Sequence, residues 1–427
     1  MQYIPLKDLV SLVIDYRGKT PHKLGGDWSS SGYRALSALN VKTRGLVAED
    51  KIRFVDEDLY HKWMRQEIKR GDILITSEAP FGQVLQWESD EKIVLSQRLF
   101  ALRIKPQYCS QYVYQYMASD FFYGELKARA TGSTVEGLRQ PALMKCKIAI
   151  PNISTQKEIA RVLTSYDRLI ENNSRRIKVL ERIADELYKE WFVRFRFPGH
   201  EKTEMVQSKL GKLPSSFVIT NMISVFDYYI GGGWGNDVFS DEYPVEASVI
   251  RGADFPGVWR YDTSSCPRRF HKASNYKTRQ LFDGDIVMEI SGGTSEQPVG
   301  RTVLVTQEMI DRFQDGKVIC ASFCKLIRLK KNVISPYFFY FWMHYLYDTR
   351  IIDRFQLQST GIINFKFESF LKKGLVMIPP KEIMDAFDAQ IVPIFKAMNQ
   401  YARQNELLSI QRDMLLPRLM SGKLEVK

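Results

Sequence analysis

Gly71-Asp72-Ile73 recurs as Gly284-Asp285-Ile286, and this repeated tripeptide belongs to a series that determines the fold. The separation grows from 213 residues between Asp72 and Asp285 to 228 between Leu180 and Leu408, as expected if short loops were inserted in the second copy. A period this long indicates a duplicated domain, since the units of a solenoid have about 20 to 50 residues. Further pairs keep the same order: Leu102-Arg103-Ile104-Lys105 with Ile327-Arg328-Leu329-Lys330, Ile150-Pro151 with Ile378-Pro379, and Leu180 to Leu187 with Leu408 to Leu415.

A heptad pattern follows each copy. In the first copy the apolar seam includes Ile159, Leu163, Ile170, Ile177, Leu180 and Leu187. The second seam, offset by 228, includes Ile394, Met398, Leu408 and Leu415, with Asn405 and Arg412 as polar interruptions and Pro393 as an expected kink or restart. Such a seam is typical of a coiled-coil helix, here about 50 Å long at about 1.5 Å per residue. We expect the two seams to pack against each other, rather than each forming an ordinary core helix.

The predicted fold class is α+β, with two similar mixed domains separated by two long helices that pair as an antiparallel coiled coil. Residues 1–150 form the first domain, 151–195 the first long helix, 196–214 a linker, 215–378 the second domain and 379–427 the second long helix. The short linker favours antiparallel pairing, because a parallel pair would require a return of about 50 Å with little slack. This arrangement places the domains at opposite ends of a rod, related by an approximate two-fold axis.

Local patterns refine the prediction. Strands are expected at 72–76, 93–95 and 100–104, and a helix is expected at 111–127. A capping box formed by Thr155 and Glu158 is expected to open the first long helix. The aromatic stretch 335–347 is too short to cross a bilayer, which needs about 20 residues, and is read as a buried amphipathic helix.

Charge and composition favour a nucleic-acid partner. The chain has 61 Lys and Arg against 49 Asp and Glu, a net charge of +12. A polyanion is the natural partner of such a chain, with nucleic acid ahead of an anionic membrane surface, although a modest charge also serves solubility. The N-terminus shows no secretory signal, so we expect a cytoplasmic protein that does not enter a membrane.

Catalytic motifs are missing from the sequence. Gly18-Lys19-Thr20 lacks the first glycine of a phosphate-binding loop, and Gly231-Gly232-Gly233 lacks the context of a methyltransferase cofactor loop. The five histidines form no i, i+4 pair, and the five cysteines have no metal-ligand spacing. We therefore expect no catalytic residues and no metal site.

Basic residues, interleaved with aromatic residues in the first domain, form two clusters that predict a DNA-facing surface. Arginine suits bidentate contact with guanine, whereas lysine more often meets phosphate as a point charge. For any single side chain, a solvated surface position is an equally good reading. The candidates are Arg17, Lys19, Lys23, Arg34, Lys42 and Arg44 in the first domain, and Arg251, Arg260, Arg268, Arg269, Lys272, Lys277 and Arg279 in the second.

Two equivalent polar turns are further candidates. Thr131-Gly132-Ser133-Thr134 and Ser359-Thr360-Gly361-Ile362 each precede the strand that leads to a long helix. Their hydroxyl groups could hydrogen-bond DNA phosphate, or the segments could simply form the turn that each copy needs. The candidate DNA-binding residues here are Thr131, Ser133, Thr134 and Thr360.

The doubled series of motifs resembles the specificity subunit of Type I restriction-modification systems. The resemblance covers essentially the whole chain, from Gly71-Asp72-Ile73-Leu74 through Gln156-Lys157-Glu158-Ile159-Ala160 and Trp191-Phe192 to Leu416-Pro417-Arg418-Leu419. Each motif alone is weak, and the ordered pair of series is specific.

The resemblance implies a non-catalytic subunit in which each variable domain is a target recognition domain for one half of a split double-stranded DNA sequence. It also implies two modification (methyltransferase) subunits that use S-adenosylmethionine, and restriction subunits with nuclease and ATP-driven translocase activity. On this reading the chain itself binds no cofactor, and S-adenosylmethionine, ATP and Mg²⁺ are bound by the partner subunits. The alternative is a DNA-binding or coiled-coil scaffold protein that works without such partners.

Overall fold

The chain folds into two compact units. A computed structural model describes residues 2–132, 136–294, 297–359 and 362–424. Unit 1 comprises Met1–Glu171 and Glu406–Lys427, whereas unit 2 is the continuous segment Asn172–Asn405.

Unit 1 contains eleven described strands and five short helices, followed by the start of a long helix. The strands are β1 (Gln2–Pro5), β2 (Val10–Asp15), β3 (Tyr33–Leu36), β4 (Val41–Lys42), β5 (Gly45–Leu46), β6 (Arg53–Val55), β7 (Ile73–Thr76), β8 (Val84–Gln86), β9 (Val94–Leu95), β10 (Leu99–Ile104) and β11 (Lys147–Ile150). The helices are α1 (Leu6–Leu9), α2 (Glu57–Trp63), α3 (Ser110–Met117), α4 (Asp120–Lys127), α5 (Gln140–Met144) and the long α6 (Ile153–Tyr188), which continues into unit 2.

The described residues of unit 2 form a similar set of strands and helices. Its strands are β12 (Met205–Ser208), β13 (Gly211–Pro214), β14 (Val218–Asn221), β15 (Phe226–Gly231), β16 (Val245–Ile250), β17 (Arg268–His271), β18 (Ile286–Glu289), β19 (Ser291–Gly293), β20 (Thr302–Leu304), β21 (Val318–Cys320), β22 (Cys324–Leu329), β23 (Gln356–Ser359), β24 (Ile362–Phe365) and β25 (Leu375–Ile378). Its helices are α7 (Phe255–Val258), α8 (Ala273–Arg279), α9 (Gln307–Ile310), α10 (Pro336–Asp348), α11 (Phe367–Lys373) and the long α12 (Lys381–Met420), whose last part belongs to unit 1.

The two units repeat one sheet topology, which confirms the predicted duplication. The four-stranded order β2-β10-β7-β8 of unit 1 returns as β15-β22-β18-β20 in unit 2. The three-stranded order β6-β3-β9 returns as β17-β16-β21, and in both sheets the second pairing is parallel. The pair β1-β11 returns as β14-β25.

The repeated sequence motifs hold neighbouring strands together. Asp72, buried immediately before β7, accepts hydrogen bonds from the guanidinium of Arg103 on β10 at 2.9 and 2.7 Å and from a backbone N–H three residues earlier. In unit 2, Asp285 and Arg328 make the same contacts, both at 2.8 Å. The glycines before these aspartates, Gly71 and Gly284, have φ of 91° and 83°, a left-handed conformation that glycine adopts readily.

The four-stranded sheet of unit 1 has a core on each face. Ile73 and Ile75 pack in the core that also contains α3, α4 and the ends of both long helices. Leu74, which points to the other face because side chains alternate along a strand, packs in the core that contains α2 and β3. The helix pair and the three-stranded sheet β6-β3-β9 are therefore packed on opposite faces of the four-stranded sheet in this unit.

The long helices run antiparallel in each unit, as predicted. In unit 1, Asp167 of α6 contacts Arg412 of α12, and Ile159 and Leu163 share a core with Leu416 and Leu419. In unit 2 the matching contacts are Asn173 with Gln404 at 3.2 Å and Arg176 with Tyr401 at 3.2 Å. In both units, later residues of α6 contact earlier residues of α12, as in an antiparallel pair.

The predicted seam residues differ in burial. Ile159, Leu163, Ile177 and Met398 are buried, whereas Ile170, Leu180, Leu187, Ile394, Leu408 and Leu415 are half-buried. Near the end of α12 the buried positions are Leu416, Leu419 and Met420, so the apolar face has moved by one residue from Leu415. A straight helix has 3.6 residues per turn and drifts from a strict seven-residue pattern, which accounts for the shift.

Three local predictions about the helices are corrected. The hydroxyl of Thr155 does not cap α6: the helix begins at Ile153, and the side chain of Asn152 accepts the Thr155 backbone N–H at 2.8 Å. The expected helix 111–127 is two helices, because the Ser119 side chain caps α4 after a break. The second long helix continues through Pro393 without a restart.

The segment 196–214, predicted as a linker, contains the hairpin β12-β13 and places Phe197 and Leu213 in the core of unit 2. The domain boundaries given above stay predictions. The aromatic stretch 335–347 corresponds to α10, whose Phe338, Phe339 and Trp342 are buried in the same core, as expected. Within the described residues, no helix combines the length and apolar character needed to span a membrane.

Candidate nucleic-acid interface

The candidate cations of unit 1 are mostly engaged within the unit. Arg17 pairs with Asp15 at 2.8 Å, and its guanidinium carbon lies 4.0 Å from the ring centroid of Phe100. Arg34 makes a two-pronged contact with Glu91 at 2.7 and 2.6 Å, which raises the pKa of Arg34. A guanidinium held in this way must leave its carboxylate before it can bind a guanine.

The lysines of unit 1 are placed differently. Lys19 donates to the backbone oxygen of Trp63 and lies 4.2 Å from the ring centroid of Tyr16, and burial lowers the pKa of its ammonium group. Lys23 and Lys42 are exposed, with Lys23 donating to the Gly18 oxygen at 3.0 Å. Lys23 and Lys42 therefore remain on the surface as charges that can meet phosphate.

Arg44 has a structural position. Its side chain is 12% exposed and contacts Asp167 of α6 at 2.9 Å and the Gln115 amide oxygen at 2.7 Å. Gln115 in turn donates to Asp167 at 2.6 Å. Sequence reasoning could not separate Arg44 from the surface arginines, because its partner lies 123 residues further along the chain.

The candidate arginines of unit 2 are also paired. Arg251 contacts Asp254 at 2.9 and 2.8 Å, Arg268 contacts Glu246 at 2.9 Å, and Arg260 contacts Glu181 of α6 at 3.5 Å. Lys272 pairs with Glu242. Lys277 is exposed on α8. The basic residues of this stretch thus form the predicted cluster in sequence, but carboxylates balance most of their charge in the fold.

The structure describes only part of each of the two polar turns. Thr131 is exposed and forms a bridge with Gly137, with backbone hydrogen bonds of 3.0 and 2.9 Å. Ser133, Thr134 and Thr360 fall outside the described residues. All the candidate DNA contacts, including these, stay predictions.

Two loops that each carry a tryptophan were not predicted from the sequence to correspond to each other. The loop between β15 and β16 carries Trp234, and the guanidinium carbon of Arg269 lies 4.5 Å from its ring centroid. The loop between β2 and β3 carries Trp28, and the guanidinium carbon of Arg53 lies 5.1 Å from its ring centroid. The signal was present in the sequence as one tryptophan in each of these two loops, but its arginine partner is apparent only when the strands are aligned.

The same bridge fastens both loops. Ser29 pairs with Phe54 of β6, the residue after Arg53, and Asn236 pairs with Phe270 of β17, the residue after Arg269. The two loops therefore occupy equivalent places in the repeated topology, next to the outer strand of the three-stranded sheet.

We searched the described part of the chain for metal-ligand groups and for reactive thiols. No group of three His, Cys, Asp or Glu side chains there is arranged to hold a metal ion. Four of the five cysteines are buried, and burial raises the pKa of Cys146 to about 11 and of Cys320 to about 12, so these thiols are weak nucleophiles near neutral pH.

The fold class is a duplicated α+β domain with two long helices that pair antiparallel. Residues 4–182 match the family described as Type I restriction modification DNA specificity domain. The Type I restriction enzyme MjaIX specificity subunit of Methanocaldococcus jannaschii is 24% identical over 375 residues, covering 84% of this chain and 78% of that protein. The HindI specificity subunit of Haemophilus influenzae is 22% identical over 407 residues, covering 84% and 88%.

A solved structure shows the same fold. The S subunit of a Type I restriction-modification system from M. genitalium aligns over 98% of this chain and 95% of its own, with a TM-score of 0.52 and 17% identity. Residues 4–182 therefore match a Type I DNA specificity domain, and most of the chain is similar to Type I specificity subunits.

Proposed function

We propose that the chain is the DNA sequence-recognition subunit of a Type I restriction-modification complex, with each repeated domain reading one half of a bipartite target and the helix pair setting the spacer between the halves. The observation that carries this proposal is the repeated topology with different surfaces. The sheet orders match strand for strand, while the exposed lysines and loop residues differ between the units. Two similar scaffolds with different surfaces suit two different half-sites.

The proposal assigns the chemistry to partners. Two modification subunits would supply adenine methylation with S-adenosylmethionine, and restriction subunits would supply cleavage and translocation with ATP and Mg²⁺. The chain itself would be non-catalytic, bind no cofactor and act in the cytoplasm, where the DNA is. Its similarity to Type I specificity subunits supports this division of labour.

Reconstitution tests the proposal. The chain is purified alone and together with its modification subunits, and methylated adenines are mapped on DNA after incubation with S-adenosylmethionine. We expect no methylation by the isolated chain, and methylation of a split sequence by the assembled complex. Turnover by the isolated chain, or methylation of one continuous sequence by the complex, would contradict the proposal.

A further inference from the structure

Loop 231–240 of unit 2 displays three large apolar side chains to solvent. Trp234 is 40% exposed, Val238 69% and Phe239 58%. Single exposed apolar residues are ordinary, but a group of three on one short loop indicates a contact surface.

The backbone of this loop is held close to the sheet. A Cβ atom on Gly232 would lie 2.1 Å from the Ala321 carbonyl oxygen, and one on Gly235 would lie 2.5 Å from the Phe270 carbonyl oxygen. Gly235 also has φ of 71°, which favours glycine. Only glycine therefore lets the loop approach the neighbouring strands this closely.

Hydrogen bonds and one arginine complete the attachment. The Gly232 and Gly233 N–H groups donate to β21 and β22 residues at 2.9 Å, and Asn236 exchanges two hydrogen bonds with Phe270 at 2.8 and 2.9 Å. Arg269 stacks on Trp234, donates to the Trp234 carbonyl oxygen at 3.1 Å and pairs with Asp237. The exposed side chains are thus presented from a fixed base, which reduces the entropy lost on binding.

The loop of unit 1 shares the arginine–tryptophan contact and the bridge to the outer strand, but presents a different surface. Arg53 stacks on Trp28, but Trp28 is only half-exposed and lies 6.2 Å, centroid to centroid, from the buried Trp63. The two loops therefore share a bridge and an arginine–tryptophan contact, and differ in the surface that they expose.

We propose that the loop 231–240 is a sequence-reading element of unit 2, in which Val238 and Phe239 make apolar contact with thymine methyl groups in the major groove and Arg269 is a positioning residue. This inference rests on the proposed function. Phosphates and sugars offer such side chains no apolar partner, whereas the thymine C5-methyl group is the apolar feature of the major groove. Helix α8 contacts the start of this loop, since Arg279 donates to the Gly231 carbonyl oxygen at 3.0 Å, and its exposed Lys277 supplies a positive charge for the DNA phosphates.

The test uses the full chain assembled with its modification subunits and a duplex library with randomised half-sites. V238S/F239S should reduce affinity for the preferred sequence about tenfold, the scale of one lost base contact, and relax the preference at T·A pairs in the half-site read by unit 2. The other half-site and the dependence of affinity on salt should stay unchanged, because apolar contacts release no counterions.

Two matched variants control for surface change alone. F121S removes a phenylalanine of similar exposure, 53%, from α4 of unit 1 and should leave both half-sites unchanged. K277Q should weaken binding to all sequences equally and reduce the salt slope by about one. Circular dichroism melts verify that each variant is folded.

The outcomes separate this inference from the function on which it rests. An unchanged unit 2 half-site in V238S/F239S overturns the inference, and so does a change in both half-sites. Lost assembly with intact sequence preference also overturns it, since the loop would then contact a partner protein. A wild-type complex with no split preference overturns the proposed function instead.

Discussion

Arg412 of the second long helix donates to Asp167 of the first at 2.8 Å, inside unit 1. Arg412 is 8% exposed, and Arg44 and Gln115 complete the polar cluster around Asp167. In the 228-residue repeat, the positions of Arg412 and Asp167 correspond to Ala184 and Phe395, which pack in unit 2 as apolar residues. Corresponding positions of the long helices are therefore polar in unit 1 and apolar in unit 2.

Asp167→Ala should destabilise unit 1 by about 3 kcal/mol, because Arg44 loses its carboxylate partner and the buried Arg412 keeps only Asp413. Urea denaturation measures the change in the free energy of unfolding. Glu158→Ala on the same helix is the control, since Glu158 pairs with the exposed Arg161 and such surface pairs contribute about 0 to 1 kcal/mol. Equal effects of the two substitutions would refute the buried role of Asp167.

Asp72→Ala and Asp285→Ala should each cost about 2 kcal/mol, because each removes charged hydrogen bonds to an arginine and leaves a backbone N–H without its acceptor. Hydrogen exchange distinguishes the two. We expect faster exchange in β7 and β10 for the first variant and in β18 and β22 for the second. Loss of protection in both units from either variant would show that they unfold as one.

Stability should depend on the protonation of Asp388. Burial raises its pKa to about 6, while the Ser335 hydroxyl donates to it at 2.7 Å. The folded pKa is above the unfolded value of about 3.8, so the carboxyl stabilises the fold most at low pH and this contribution is lost as pH rises from about 4 to 6.

Asp388→Asn keeps an acceptor for Ser335 and removes the titration. Relative to the unmodified chain, the variant should gain at most about 1 kcal/mol between pH 5 and pH 7.5, the full shift being reduced because the carboxyl is partly exposed. Thermal unfolding at the two pH values measures this gain. A constant difference between variant and unmodified chain would contradict the assignment.

Exchange of residues 215–378 for the equivalent segment of a relative should replace one half-site and leave the other unchanged. Deletion of seven residues from each long helix should instead shorten the spacer by about three base pairs, since seven helical residues span about 10 Å. The methylation map of the reconstituted complex reads both results. A spacer that stays constant after the deletion would show that the helices do not set it.

Periodic and repeated features could be predicted from sequence because they are local or copied. The seams and the aromatic α10 follow from the spacing of apolar residues within one segment. The duplication follows from the same motifs recurring in the same order in the second half of the chain. The role of Asp72 could not be predicted, since its partner Arg103 becomes adjacent only when β7 and β10 pair. The capping by Asn152 was missed because Asn152 and Thr155 can both cap a helix, and the choice between them depends on where β11 ends.

The candidate interface was less predictable than the fold. Arginine-rich stretches were visible, but whether a guanidinium is free depends on carboxylates elsewhere, as for Arg34 with Glu91, 57 residues away. The tryptophan loops show the converse. Trp234 and Arg269 carry little signal separately, and the strand pairing that joins them is a property of the folded sheet.

The division into units has a consequence for synthesis on the ribosome. Unit 2 is one uninterrupted segment, whereas unit 1 takes Leu416, Leu419 and Met420 from the last part of the chain into its core. Unit 2 can therefore close its core as soon as residue 405 has emerged. The first part of unit 1 is translated before unit 2. The apolar face of its helix stays uncovered until the last turns of α12 leave the exit tunnel.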